Sequence, residues 1–146
     1  MIMGSEGPKS VTVQELCGTG TSVLFAVPGA FTPTCSAQHL PGFIERAADF
    51  KGKGVDRLIC MAVNDVFVMD AWARQSGASS MIVMAADGNG AFSEALGLSM
   101  DASAFGMGRR AQRFAMIVKD GVVTGLFVEA PGEFRASSAE NVIDHL

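Results

Sequence analysis

The residues of this sequence best suited to chemistry are its three cysteines, Cys17, Cys35 and Cys60, and their settings differ. Cys35 closes the string PGAFTPTC, residues Pro28 to Cys35, in which a Pro-Gly turn leads into Thr32-Pro33. Threonine caps helix starts, and proline at the first helical position lacks an N–H that would be unpaired there anyway. With Thr32 as N-cap, Cys35 takes the third helical position, beside unpaired backbone N–H groups and the positive end of the helix dipole. Such a place favours thiolate over thiol, and a thiolate is a nucleophile. An arbitrary cysteine is more often a small buried hydrophobe, and Cys17 is read that way. Arg109, Arg110 and Arg113 taken alone are a solvated basic loop. His39, four residues after Cys35, shares its helical face. No second ligand pair at metal spacing exists, so a supporting role beside Cys35 is expected and no metal site is.

Composition narrows the partners. The 146 residues are 49% hydrophobic and 18% charged, with a net charge of −4, which describes one globular domain. An odd cysteine count is no disulfide framework. No window approaches the ~20 apolar residues of a membrane span, and no basic block marks a nucleic-acid binder. Met1 to Pro8 lacks the pattern of a signal peptide, which points to a reducing, cytoplasmic setting. A small diffusible substrate or a protein partner is expected, with no cofactor.

The elements that must hold Cys35 follow from periodicity and caps. Thr12 and Glu15 have capping-box spacing, predicting a short helix through Cys17 that closes at Gly18. Ser22–Val27 is a continuous apolar run, the mark of a central strand buried on both faces. The Cys35 helix is expected to run from Thr32 to about Lys53, kinked at Pro41. Arg57–Val63 is a second buried strand, followed by a helix capped at Asn64-Asp65 that carries Phe67 and Trp72 as core residues and ends before Gly77. Met81–Ala86 is a third strand, with a short helix near Phe92–Leu96. Phe114 to Glu129 reads as a hairpin turning at Asp120-Gly121. Ser137 and Glu140 open a last helix that runs to Leu146. Strands with helical crossovers, then an antiparallel hairpin and a closing helix, give an α/β mixed sheet flanked by helices, a thioredoxin-like order.

The string PGAFTPTC contains the P-x-x-x-T-x-x-C signature of peroxiredoxins as Pro28, Thr32 and Cys35, and resembles their type II, or peroxiredoxin V, branch. Further blocks extend the resemblance over most of the chain: SAQHLPGF (36–43), CMAVNDVFVMDAW (60–72) and RRAQRFAMIVKDG (109–121). The resemblance implies a thiol-dependent peroxidase acting on hydrogen peroxide and alkyl hydroperoxides. Cys35 would attack the peroxide and become a sulfenic acid. Thr32 would hydrogen-bond the sulfur and the peroxide, and Pro28 would shield the sulfur from water. Arg113, matching the family arginine, would hold the charged sulfur and the peroxide oxygens. A homodimer is also implied.

Cys60, 25 positions after Cys35, matches the second cysteine of type II relatives, a candidate resolving cysteine. Its apolar strand equally fits an inert core thiol, and both readings stand. The stretch RASS (135–138) lacks the C-terminal resolving cysteine of animal members. Other reductants are glutathione, glutaredoxin or thioredoxin. Relatives usually carry further residues before the segment that begins here near Gly4, so residues 1–146 are read as one redoxin domain without the usual N-terminal strands. Two other functions compete: a thioredoxin-fold thiol–disulfide oxidoreductase, against which the missing C-x-x-C speaks, and a redox-sensor or binding module.

Overall fold

The computed structural model describes residues 1–146. The chain opens with a small antiparallel hairpin, β1 (Ile2–Gly4) and β2 (Gly7–Lys9), at the end where no strand is expected from the sequence. Met1 bonds Ala86 through both its amino group and its carbonyl, which ties this end down. Helix α1 (Val13–Cys17) has the expected capping box: Thr12 Oγ1 accepts from Glu15 N–H, and the Glu15 carboxylate accepts from Thr12 N–H. Burial then sets the sheet. β3 (Thr21–Ala26) is buried from Ser22 onward and sits at its centre.

The Cys35 helix departs from expectation in its course. It begins at Pro33 but passes through a π-turn at Cys35–His39, in which Leu40 N–H reaches back to Cys35 C=O. Pro41, expected to mark a kink, follows at once: its missing N–H breaks the α-helical bonding pattern, and a wider turn accommodates the break. α2 (Leu40–Glu45) then ends at Arg46, whose φ −97° and ψ 7° interrupt the helix, and α3 (Ala47–Gly52) follows, so the single helix to Lys53 is corrected to two.

β4 (Arg57–Ala62) leads to α4 (Val66–Ser76), capped by Asp65 at its start and by Gly77, in the left-handed region, at its end. Phe67 is corrected: it is 64% exposed. The buried stripe of α4 is Val66, Met69, Trp72 and Ala73, and Phe67 falls on the far side of that 3.6-residue period. β5 (Val83–Ala86) and α5 (Ala91–Ala95) follow, then a second small hairpin, β6 (Ser99–Asp101) with β7 (Arg109–Ala111), absent from the sequence reading. β8 (Phe114–Lys119) and β9 (Val122–Val128) form the expected hairpin. Its turn residues Asp120 and Gly121 both have positive φ, as the primed turns require. The last helix, α6 (Ala139–Asp144), is capped by Ser138 rather than Ser137, because the Ser137 side chain is buried and bonded elsewhere.

The sheet order is β5-β4-β3-β8-β9. β3 pairs parallel to β4 and antiparallel to β8, so the fold is mixed α/β and thioredoxin-like, with helices on both faces. Along β3 alternate residues serve opposite cores: Val23 and Phe25 belong with Cys35, Cys60, Phe43 and Trp72, whereas Leu24 and Ala26 belong with Cys17, Ile59 and Phe114. Phe25 stacks on Phe43 at 3.9 Å between ring centroids, and Phe43 on Phe50 at 5.2 Å. This stack fastens the helices that follow Cys35 to the sheet, each pair adding about 0.5–1.5 kcal/mol beyond its buried area. No helix is long and apolar enough to cross a membrane.

Candidate active site

Strand register brings the site together. Ala26 at the end of β3 pairs with Phe114 at the start of β8, which places the Pro28 loop beside Arg113 although they are far apart in sequence. The β8–β9 hairpin returns to the same end, where Glu129 N–H donates to Arg113 C=O at 3.0 Å. Three separate segments thus converge where the Cys35 helix begins.

Cys35 has no exposed surface, and Arg113 Nη2 donates to its sulfur at 3.2 Å. The second guanidinium nitrogen, Nη1, donates to His39 Nδ1 at 2.9 Å. Arginine can only donate, so Nδ1 is the bare nitrogen of that ring and Nε2 carries the proton, donated to Ser137 C=O at 3.0 Å. Burial, then the Arg113 charge, pushes the His39 pKa down to about 3, against a smaller upward pull from the Ser137 carbonyl and Glu129. The imidazole is therefore neutral at ordinary pH.

The 135–137 loop is itself held by Glu129. Burial pushes this carboxyl up, but the Ser137 hydroxyl and the N–H groups of Ser137, Arg135 and Ala136 outweigh it and hold Glu129 below its usual range. The lengths are 2.8 Å from Ser137 Oγ and 2.7, 2.9 and 3.1 Å from the N–H groups of Arg135, Ala136 and Ser137.

Of the residues singled out from the sequence, Pro28 and Arg113 line one cleft of about 580 Å³ together with Thr34, Met100, Glu129 and Phe134. Thr32 begins the helical turn, but its hydroxyl donates to Gly29 C=O at 2.7 Å rather than capping the helix. Its oxygen lone pairs remain free to accept. The preceding residue, Phe31, has φ +63°, uncommon for a residue with a side chain, in the loop that carries the site. Trp72 Nε1–H donates to Ser36 Oγ at 3.1 Å and braces the other side of the helix.

Cys60 has no exposed surface and lies in β4, with Phe25 and Met84 as its strand neighbours. Burial, then the nearby Cys35, pushes its thiol well above the ordinary range. Cys17 packs on the opposite face of the sheet, where burial pushes its thiol up as well. All three cysteines are free. Sequence reasoning missed Glu129 and the role of Ser137. Glu129 ends an apolar strand with no local pattern around it, and Ser137 carries the signal of a cap.

A thioredoxin-like sheet bearing a buried cysteine in the opening turn of a helix, with an arginine on its sulfur, defines a thiol-based redox protein. Comparison with known proteins takes this further. The Redoxin family model matches residues 3–143. Peroxiredoxin-2B of Arabidopsis thaliana is 45% identical over 138 residues, covering 94% of this chain and 85% of that protein. A chloroplastic relative from rice, Peroxiredoxin-2E-2, is 49% identical over 141 residues, and the chain spans 63% of its length; for Peroxiredoxin-2E of Arabidopsis thaliana the share is 60%. Among solved structures, reduced Prx3 of Vibrio vulnificus in complex with hydrogen peroxide superposes with a TM-score of 0.94 at 50% identity, covering 99% of this chain and 90% of that one. The chain belongs to the redoxin family and, within it, to the peroxiredoxins.

Proposed function

We propose that residues 1–146 act as one redoxin domain that reduces hydrogen peroxide and small organic hydroperoxides through Cys35. The observation that carries this reading is the Arg113 guanidinium, 3.2 Å from the Cys35 sulfur, at the start of a helix. In the reaction the Cys35 thiolate attacks the terminal peroxide oxygen. A sulfur–oxygen bond forms as the O–O bond breaks, the sulfur becomes a sulfenic acid, and the departing oxygen takes a proton to leave as water or an alcohol. Arg113 stabilises the sulfur before attack and the oxygens as charge moves onto the leaving group. Thr32, whose hydroxyl proton is engaged by Gly29, accepts from the protonated peroxide oxygen and so orients it. Pro28 lines the cleft in which Arg113 stands, and its ring, which has no N–H to offer water, limits solvent on that side of the site.

An external thiol resets the sulfenic acid: glutathione, glutaredoxin or thioredoxin. Cys60 supports this by its setting, since it is fully buried in a strand paired on both sides, which makes it a poor partner for rapid exchange. Three free thiols suit the reducing cytoplasm, and the exposed rings of Phe31 and Phe67 suit a homodimer contact. The test is peroxide consumption by the chain supplied with glutathione and glutaredoxin, or with the thioredoxin system. Turnover with the native chain and none with Cys35→Ser is expected; a Cys35→Ser variant that keeps its rate overturns the reading. An insulin-reduction assay separates it from a thiol–disulfide oxidoreductase. A slow peroxide reaction together with a trapped mixed disulfide would instead favour a redox sensor.

A further inference from the structure

An arginine that serves a sulfur must be held in one orientation, yet a carboxylate, its strongest partner, would offset the charge for which it is held. Glu129, the carboxylate that lines the same cleft as Arg113, raises that conflict. Its carboxylate, however, is occupied by four donors of the 135–137 loop, and it forms no ion pair with Arg113. The guanidinium rests instead on two uncharged groups: His39 Nδ1 at 2.9 Å and the Phe134 ring, 5.9 Å from Cζ to its centroid. His39 is fully buried, and its other nitrogen is fixed by the Ser137 carbonyl that Glu129 indirectly holds. The π-turn that contains Cys35 and His39 presents both to the same guanidinium.

We propose that His39 is a positioning residue that aims the Arg113 guanidinium at the Cys35 sulfur as an uncharged acceptor, leaving its full positive charge for the sulfur and the peroxide. Glu129 acts one step further back, by fixing the carbonyl that orients His39. The inference rests on the peroxidase reading above. The competing role is packing, since His39 also lies against Phe25, Phe43 and Phe134.

Two substitutions separate the roles. His39→Asn keeps an acceptor near the position of Nδ1 but loses the donor to Ser137. His39→Gln puts its amide near Nε2 and offers nothing at Nδ1. The quantity to measure in the full chain is the second-order rate constant for Cys35 oxidation by hydrogen peroxide, alongside alkylation by iodoacetamide, which binds no oxygen to the guanidinium. His39→Asn is expected within about threefold of the native rate, and His39→Gln about tenfold to a hundredfold slower. Alkylation falls by a smaller factor in the latter. Because His39 acts through Arg113, adding His39→Gln to Arg113→Lys brings no further loss. A His39→Gln variant as fast as native, or losses that multiply in the double variant, overturns the role while leaving the peroxidase reading intact. A native chain whose Cys35 ignores peroxide overturns both. Nitrogen-15 NMR of the native protein is independent of any variant's folding: it should find His39 protonated at Nε2 and bare at Nδ1 at neutral pH, and the opposite tautomer or an imidazolium would contradict the inference.

Discussion

Cys35, at the start of the π-turn, and Cys17, at the end of α1, lie on opposite faces of one sheet, 0% and 2% exposed, and are nearly equal by burial alone. Their polar surroundings differ. Around Cys35 three segments bring an arginine, a neutral histidine and a buried glutamate into one connected network. Cys17 instead lines a cavity of about 220 Å³ whose walls are almost wholly apolar, among them Leu16, Leu24, Met61 and Phe92. Burial pushes the Cys17 thiol up despite smaller downward pulls from Ser22 and Arg57, whereas Cys35 carries a guanidinium donor directly on its sulfur. Reactivity here comes from what the fold aims at the sulfur.

The largest effect should come from exchanging the two thiols separately. Cys35→Ser is expected to lower the peroxide rate at least about a thousandfold, and Cys17→Ser to leave it within about twofold, as read by stopped-flow oxidation. Comparable losses at both would erase the contrast between the faces. Arg113→Ala removes the one cation on the sulfur and should cost about a hundredfold to a thousandfold, the range for deleting a donor that stabilises developing charge. Thr32→Val should cost about tenfold or more in the same assay, because it removes both the acceptor for the peroxide and the Thr32 hydroxyl bond to Gly29 C=O that aims it, and should lower stability by only about 1 kcal/mol.

Acid sharpens the contrast in stability. His39 titrates at about 3 in the folded chain against 6.5 when free, and Glu129 is also held below its usual range. As pH falls below 6.5 the unfolded chain takes up protons that the folded chain refuses, so stability present above that pH is lost progressively toward 3. By pH 4.5 His39 alone should remove on the order of 2–3 kcal/mol. The fall in melting temperature between pH 7 and 4.5 should be smaller in His39→Asn than in the native chain, and an equal fall would mean that the histidine is not held neutral. The smallest effect is on the other face: Cys17→Ala should cost about 1 kcal/mol in denaturant unfolding and leave activity untouched.

The Cys35 half of the site was legible because its signals are local. The Pro-Gly turn, Thr32-Pro33 and the buried run before them are neighbours in the chain, and they sufficed to place the thiol at the start of a helix. Arg113 needed the family resemblance, since its position depends on a strand register that no local pattern encodes. Glu129 and the Ser137 carbonyl escaped altogether: a single glutamate after an apolar strand resembles a solvated end, and a carbonyl has no sequence signature. The helix to Lys53 was misjudged for a related reason. Pro41 warns of a break, but where the chain takes up the change is decided by packing, here of Phe43 and Phe50 on the sheet.

The central claim is that one thiol of the three is set apart by the polar network of its face. Mass spectrometry after one equivalent of hydrogen peroxide, with dimedone present to trap sulfenic acid, addresses it directly. The adduct is expected on Cys35 alone, with Cys17 and Cys60 recovered as free thiols. An adduct on Cys17 or Cys60, or none on Cys35, would contradict it.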